Sequence, residues 1–228
     1  MNTMSKKDSL TKSARRRQRE KILRRESILR AAETLFAKKG YRKTRIEEVS
    51  DAAEVSVGTV YGYFTNKEEL LINVLDDIGA YIRRLAARAF GEADSTLDGI
   101  ERAGMAFFEE LCLPHPEKVL LLYDESIGYS PEFLNARKNF MLKMTADVNH
   151  ALKNTTDKFG IEYSSDISAE VMSVCTTAIF GWLVLYYRLW EKKPDQIMAL
   201  GRETVAFIVG GIKNLIVVDN TCSNYLEK

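Results

Sequence analysis

Residues 55–70 read VSVGTVYGYFTNKEEL and bring hydroxyl, glycine and lysine residues together directly before an acidic helix start. Ser56 can cap a short helix, and both Ser56 and Thr59 can offer hydroxyls and helix N-terminal N–H groups to phosphates. Gly58 leaves out a side chain where the backbone could come close to a duplex. Lys67 adds a positive charge near the start of the next helix. The spacing therefore predicts a surface that binds the phosphates of a nucleic acid.

Three aromatic residues lie in the second half of the same stretch. Tyr61 and Tyr63 give flat, weakly polar surfaces that suit contacts with sugars, phosphates or thymine methyl groups. Phe64 falls in line with Val57 and Val60 at helical spacing, so we expect it in the core. From the residues alone, Tyr61 and Tyr63 could also belong to that core, and this alternative stays open.

Four helices must position this stretch. Residues 24–39 carry apolar side chains at helical spacing, and Gly40 predicts where this first helix ends. Thr44 can cap a second, short helix, Ser56 a third, and Asn66 a fourth with acids in its first turn. Two short helices behind a basic helix, the second capped by a hydroxyl residue, are typical of a helix-turn-helix that reads DNA.

Charge is distributed unevenly along the chain. Residues 1–45 hold 16 Lys/Arg and four Asp/Glu, which leaves a formal charge of −11 on the rest of a chain whose total is +1. A basic end on an acidic body suits binding to a polyanion. Residues 1–20 have little to bury, so we expect a flexible basic arm there, with a solvated tail without a role as the alternative.

Residues that could do other chemistry are sparse. His115 and His150 are the only histidines, and no nucleophile, metal-protease or phosphate-loop fingerprint occurs in the sequence. The three cysteines lie far apart without a CxxC spacing, which favours a reducing cytoplasm over a disulfide or zinc framework. We therefore expect no enzyme, no metal and no cofactor.

Residues 171–187 carry no charge, so a membrane span has to be considered. The stretch is at the short limit for spanning and contains Ser173, Thr176 and Thr177. We interpret it instead as a helix that is buried on most of its sides. Since helical periodicity continues around it and prolines fall at predicted helix ends, we predict an all-α fold.

The N-terminal stretches RRESILRAAETLFAKKGYRKTRIEEVSDAA and VSVGTVYGYFTNKEEL resemble the tetracycline-repressor (TetR) type of bacterial transcription regulator over roughly residues 24–71. The resemblance implies that Thr44 contacts a phosphate from the second helix and that Lys67 clamps one beyond the third helix. It also implies that the residues between them line the surface that reads DNA. The predicted DNA-binding residues are Thr44, Arg45, Ser56, Val57, Gly58, Thr59, Tyr61, Tyr63 and Lys67.

Two residues depart from the pattern of that family. Glu54 stands where many relatives have glycine in the turn, so a non-glycine residue must adopt a left-handed conformation there. Val57 stands where a polar residue is frequent, which removes one possible contact. Both departures leave the fold intact and the operator sequence open.

The C-terminal half resembles the family only in architecture, and the resemblance implies a dimer formed by its last two helices. From the residues alone, the apolar stripes of these helices favour ordinary core; with the resemblance, a dimer interface is the better interpretation. A symmetric dimer would read an inverted repeat. The predicted interface residues are Val174, Ala178, Trp182, Ile197, Leu200, Thr204, Phe207, Gly211 and Leu215.

The resemblance also implies a small effector held inside the C-terminal half. Candidate walls are aromatic residues and methionines, which favour an apolar or aromatic ligand, although many of them would also suit ordinary core. The predicted ligand-binding residues are Phe107, Phe108, Tyr123, Phe133, Phe140, Met144, Met172, Phe180 and Tyr186.

Together these observations predict a cytoplasmic, homodimeric repressor that binds a palindromic operator in double-stranded DNA and responds to a small molecule. We expect a basic arm at residues 1–20, a three-helix DNA-binding domain at 21–70, a ligand-binding and dimerisation domain at 71–218 and a frayed tail at 219–228. Two other classes remain as alternatives, namely an interaction protein of the same fold that does not read DNA, and an enzyme.

Overall fold

The computed structural model describes residues 12–122, 130–159, 162–187 and 193–217. The chain divides into two compact units, Met1–Val74 and Leu75–Lys228, so the first unit extends four residues past the boundary expected from the sequence. In the first unit α1 spans Lys12–Lys39, α2 spans Ile46–Ala52 and α3 spans Val57–Tyr63. Helix α4, Lys67–Gly91, begins in the first unit and continues in the second.

Helix α1 begins well before its apolar pattern does. Residues 12–20, expected to be part of a flexible arm, are helical, while residues 1–11 lie outside the described part of the chain. Arg, Gln, Glu and Lys are good helix formers, and Arg16 pairs with Glu20 one turn later at 2.8 Å. Gly40 ends the helix with a φ of 81° and donates its N–H to the Phe36 carbonyl, as its C-cap position predicts.

The start of α2 differs from the prediction by one residue. Arg45, and not Thr44, precedes the helix, and its N–H donates to Oε2 of Glu48 at 3.1 Å. Thr44 is buried, and its hydroxyl donates to the carbonyls of Gly40 and Leu35 at 3.0 and 3.3 Å. The hydroxyl therefore bonds to one backbone carbonyl in the last turns of α1 and to one just beyond its end.

The turn between α2 and α3 contains the strained residue that the sequence indicated. Glu54 has a φ of 55° and is, among the described residues, the one non-glycine with a positive φ. A left-handed conformation costs a residue with a Cβ about 1–2 kcal/mol. Other interactions of the turn must offset this conformational cost.

The second unit is helical throughout most of its length, which confirms the all-α fold class. Its elements are α5 (Thr96–Ala106), a π-helical turn (Phe107–Cys112), α6 (Pro116–Leu122), α7 (Pro131–Phe159), α8 (Ser168–Leu185), a 3-10 turn (Pro194–Gln196) and α9 (Ile197–Lys213). A short antiparallel pair, β1 (Glu162–Tyr163) with β2 (Ile216–Val217), was not predicted.

The core of the second unit lies where α7 packs on α8 and α5 packs on α9. Its centre includes Leu97, Leu152, Met172 and Ile208. By length and composition alone α8 could cross a membrane, but helices of soluble cores meet the same criterion. Helix α8 buries one face against α7 and α9 and leaves another face exposed, so it is less buried than the sequence suggested.

Candidate functional site

The N-terminus of α3 carries the two hydroxyl residues that the sequence singled out. Ser56 precedes the helix, and its Oγ accepts the N–H of Thr59 at 3.1 Å. The two hydroxyls also bond to each other, with 2.8 Å between Ser56 Oγ and Thr59 Oγ1. This arrangement fixes both hydroxyls at the helix terminus, where N–H groups favour anions.

The aromatic residues of α3 separate into core and surface. Phe64 and Val60 are buried, which confirms that they anchor the helix. Tyr61 is 49% exposed, so the alternative that it belongs to the core is excluded. Tyr63 is half-buried, and its hydroxyl donates to the Lys21 carbonyl at 3.2 Å, which ties α3 to α1. The ring of Tyr61 therefore faces solvent, whereas the hydroxyl of Tyr63 is already engaged within the first unit.

Gly62 is a residue that sequence reasoning left out of the site. A Cβ added to Gly62 would meet no atom within 4 Å, and one added to Gly58 would meet only Ser56 Oγ at 3.8 Å. A glycine inside a helix costs roughly 0.5–1 kcal/mol relative to alanine. Packing within the unit does not require either glycine. Two glycines in a helix of seven residues are unusual, and this composition could have indicated the surface from the sequence.

We refer to one exposed side of α3 as the recognition surface. Val57, at the start of the helix, is only partly exposed and adds an apolar edge to it. The surface combines a helix N-terminus, hydroxyls, one exposed aromatic ring and two positions without side chains. It comprises Ser56, Gly58, Thr59, Tyr61 and Gly62.

Lys67 has an internal role that the sequence did not reveal. Its Nζ donates to the carbonyls of Tyr41 and Thr44, each at 3.0 Å, and lies 3.5 Å from that of Arg42. The ammonium also lies 4.5 Å from the centre of the Tyr41 ring, and burial lowers the pKa of Lys67. These carbonyls already use the donors of the side chain, and the expected phosphate contact stays a prediction.

Two further residues of the predicted DNA-binding set lie at the start of α2. The burial of Thr44 corrects the expectation that its hydroxyl faces a phosphate. Arg45 is exposed, and its guanidinium is therefore available to a polyanion.

The second unit contains an apolar cavity of about 100 Å³. Four of the nine predicted ligand-binding residues line it, namely Phe107, Phe140, Met144 and Phe180. The prediction missed most of the wall, including the α4 residues Ile82, Ala86 and Phe90. On an amphipathic helix, nothing in the sequence distinguishes an apolar residue that lines a cavity from one that packs in the core. The remaining lining residues are Ile100, Ala103, Gly104, Val119, Leu122, Met141, Val148, Leu152, Thr176, Thr177, Gly181 and Ile212.

Five predicted ligand-binding residues are not part of this wall. Phe108, Phe133 and Met172 are buried in the core, whereas Tyr186 is exposed on α8's C-terminal side. Phe108 packs where Gly201 leaves space, since a Cβ at Gly201 would lie 2.7 Å from its ring. The sequence cannot distinguish such packing from a cavity wall. The remaining residue, Tyr123, lies outside the described residues.

An apolar face on α8 and α9 is exposed. Val174, Trp182 and Phe207 are 49%, 58% and 71% exposed, and Ala178 and Gly211 are also exposed. These five predicted interface residues are therefore available to a second chain. We refer to Val174, Ala178, Trp182, Phe207 and Gly211 as the α8–α9 face.

The other predicted interface residues point elsewhere. Ile197 is completely buried, and Thr204 is buried with its hydroxyl donating to the Leu200 carbonyl at 2.7 Å. Leu200 is largely buried at the floor of a groove beside Trp182, and Leu215 is half-buried beyond the end of α9. Part of the stripe chosen from the sequence lies on the core side of α9, which corrects the prediction for Ile197 and Thr204.

Comparison with known proteins places this arrangement in context. The sequence model of bacterial regulatory proteins of the tetR family matches residues 28–74. The HTH-type transcriptional repressor KstR2 of Mycolicibacterium smegmatis is 28% identical over 195 residues, which cover 83% of this chain and 90% of the relative. The HTH-type transcriptional repressor NicS of Pseudomonas putida is 33% identical over 119 residues, covering 52% of this chain and 54% of the relative.

Solved structures share the fold. The fatty acid degradation regulator FadR from Bacillus halodurans aligns with a TM-score of 0.70 at 18% identity, covering 82% of this chain and 98% of the other. A FadR from Bacillus subtilis, solved in complex with stearoyl-CoA, aligns with a TM-score of 0.69 at 19% identity and covers the same shares of the two chains. At these identities the likeness concerns the fold.

Proposed function

The chain belongs to the TetR family of bacterial regulatory proteins, and on that premise we propose that it is a homodimeric transcriptional repressor that a small molecule releases from DNA. The relatives that match most of the chain are transcriptional regulators, so it is a DNA-binding regulator and not an enzyme. The observation that carries the proposal is the recognition surface, because packing within the first unit requires neither the exposed Tyr61 ring nor the two glycines beside it.

We infer that the recognition surface enters the major groove. The N-terminus of α3, with Ser56 and Thr59, would approach a phosphate, and Tyr61 would contact a sugar or a thymine methyl group. Val57 and Tyr63 lie on the same helix at the edge of this surface, and Arg45 at the start of α2 would add a phosphate contact. The exposed basic residues in the first turns of α1 would add phosphate contacts that do not depend on sequence. Binding should therefore weaken steeply as the salt concentration rises.

The α8–α9 face supports the proposed homodimer. Exposed apolar patches of this kind mark interaction sites, and a two-fold axis lets one patch meet its own copy. Trp182 is the best candidate for the centre of the interface, because large aromatic residues dominate binding energy at protein interfaces. Such a dimer would present two copies of α3 to successive major grooves, so the operator would be an inverted repeat.

We infer that the apolar cavity receives the effector. Helix α4 begins at Lys67 in the first unit, and three of its later residues, Ile82, Ala86 and Phe90, line the cavity. A ligand in contact with these residues could favour one position of α4 over another. It can act only if its affinity for the two arrangements differs. Cytoplasmic localisation is part of the proposal, because the operator is there.

Footprinting on DNA that flanks the protein's own gene tests the proposal. We expect a protected inverted repeat whose half-sites lie about one helical turn apart, and an affinity that falls at least about 100-fold between 50 and 200 mM salt. Light scattering should give the mass of a dimer. A chain that forms dimers but protects no sequence would instead support the alternative of an interaction protein that does not read DNA.

A further inference from the structure

The apolar cavity is too small to be the whole effector site. Its volume is about 100 Å³, whereas small-molecule sites usually measure about 300–1,000 Å³. Among the described residues that line it, Thr176 and Thr177 supply the only side-chain oxygen or nitrogen atoms, and the Thr177 hydroxyl already donates to the Ser173 carbonyl at 2.8 Å. A charged or strongly polar group placed there would lose its hydrogen bonds to water and find only these two hydroxyls in their place. The cavity therefore suits the apolar part of a larger ligand.

A groove between α4 and α7 adjoins this cavity. The groove has a volume of about 460 Å³, and four of its lining residues, Ala86, Phe90, Met144 and Val148, also line the cavity. The two spaces therefore share part of their wall. Met144 can change its conformation at low cost, so this wall can open toward a bound ligand.

The groove has polar side chains that the cavity lacks. Arg83 on α4 and Asp147, His150 and Asn154 on α7 line it. Arg83 Nε lies 3.4 Å from Asp147 Oδ2, which is a long separation for a charged hydrogen bond. His150 Nε2 lies 2.9 Å from Asn154 Nδ2. Arg83 is thus the fixed positive charge of the groove, and its planar guanidinium can bind a carboxylate through two parallel hydrogen bonds.

We propose that the effector is an amphipathic carboxylate, with its apolar part in the cavity and its carboxylate in the α4–α7 groove beside Arg83. This inference rests on the proposed ligand-responsive function and names the chemical class of the ligand. Asp147 disfavours a more highly charged anion more strongly than a single carboxylate, because repulsion from its carboxylate grows with the charge of the ligand. A single carboxylate can replace Asp147 as the partner of Arg83.

Calorimetric titration of the full-length protein with three probes of equal chain length tests this class. Octanoate, octanol and octylammonium differ only in the polar end group. We expect octanoate to bind at least about tenfold more tightly than either of the others, since octanoate alone can form an ion pair with Arg83 through two parallel hydrogen bonds. Equal affinity for octanoate and octanol would overturn the assignment of the carboxylate.

Two variants locate the two parts of the site. Arg83→Gln should remove the preference for octanoate over octanol, whereas Lys143→Gln, a control on α7 whose side chain pairs with Asp76 outside the groove, should keep it. Ala86→Trp, at the shared wall, should abolish binding of all three probes. Unchanged melting temperatures show that the variants fold. Retention of the octanoate preference by Arg83→Gln would contradict the proposed position of the carboxylate.

Operator binding separates this inference from the proposed function. A protein that binds its operator as a dimer but none of the probes would leave the repressor proposal intact and overturn the ligand class. Octanoate binding without any specific DNA binding would contradict the repressor proposal and support the ligand class.

Discussion

The recognition surface and the apolar cavity relate to the fold in opposite ways. Tyr61 is half exposed and Gly62 has no neighbour for a side chain, so the first unit can fold without either of them. In the second unit, residues such as Phe140 and Leu152 are at once cavity wall and buried core. A substitution in the recognition surface can change function alone, whereas one near the cavity also changes stability.

The largest effect should come from a residue that looked like a cavity wall and belongs to the core. Phe108→Ala removes a completely buried ring that contacts Phe107, Phe180 and Gly201. We expect a loss of about 3–5 kcal/mol in the free energy of unfolding, measured by urea titration of the full chain. Leu134→Ala, at an exposed side chain of α7 outside the α8–α9 face, should change it little. If Phe108→Ala kept normal stability but lost ligand binding, Phe108 would belong to the ligand site and not to the core, and the contrast between the two regions would be wrong.

The second unit also has a surface, the α8–α9 face, where substitutions should weaken the dimer without disturbing the fold of the single chain. Replacing Trp182 and Phe207 together by alanine should weaken the proposed dimer by about 2–4 kcal/mol, because both rings are exposed in the single chain. Sedimentation equilibrium measures the dissociation constant. Leu142→Ala, at an equally exposed apolar residue of α7, is the matched control. If the control dissociates the dimer and the double variant does not, the α8–α9 face is not the interface.

Tyr61 tests the recognition surface itself. Tyr61→Ala should reduce operator affinity by about 1–3 kcal/mol, while the unfolding transition and the dimer mass remain those of the parent protein. Tyr61→Phe keeps the ring and shows how much of the effect depends on the hydroxyl. Gel-shift titrations at fixed salt give the affinities. Unchanged binding by Tyr61→Ala would remove this ring from the contact surface.

The recognition surface was predictable because its signals are local. Ser56 and Asn66 cap their helices through bonds to residues three positions later. The left-handed conformation of Glu54 depends only on the turn between α2 and α3. Thr44 shows the limit of local reasoning. The same spacing of a first residue and a glutamate occurs at Thr44 with Glu47 and at Arg45 with Glu48, and burial against α1 decides between them.

The roles that the sequence did not reveal depend on distant contacts. Lys67 bonds to carbonyls 23 to 26 residues earlier, and Phe108 packs against Gly201. No periodicity links such positions. Ile197 and Phe207 share one apolar helix, yet Ile197 is completely buried and Phe207 is 71% exposed. Two apolar sides of α9 serve different purposes, and an apolar pattern alone does not tell which side faces the core.

The smallest expected effect gives the sharpest test of the difference between the two regions. Gly62→Ala adds one methyl group to a helical position with no neighbour within 4 Å, so the first unit should gain about 0.5–1 kcal/mol of stability. If the backbone of α3 approaches DNA closely at this point, the same methyl group should weaken operator binding several-fold. Gly91→Ala, equally unhindered on α4, should leave operator affinity unchanged. Stability and affinity would then change in opposite directions, which packing within the fold cannot produce. Operator affinity equal to that of the parent protein would mean that Gly62 lies outside the contact surface.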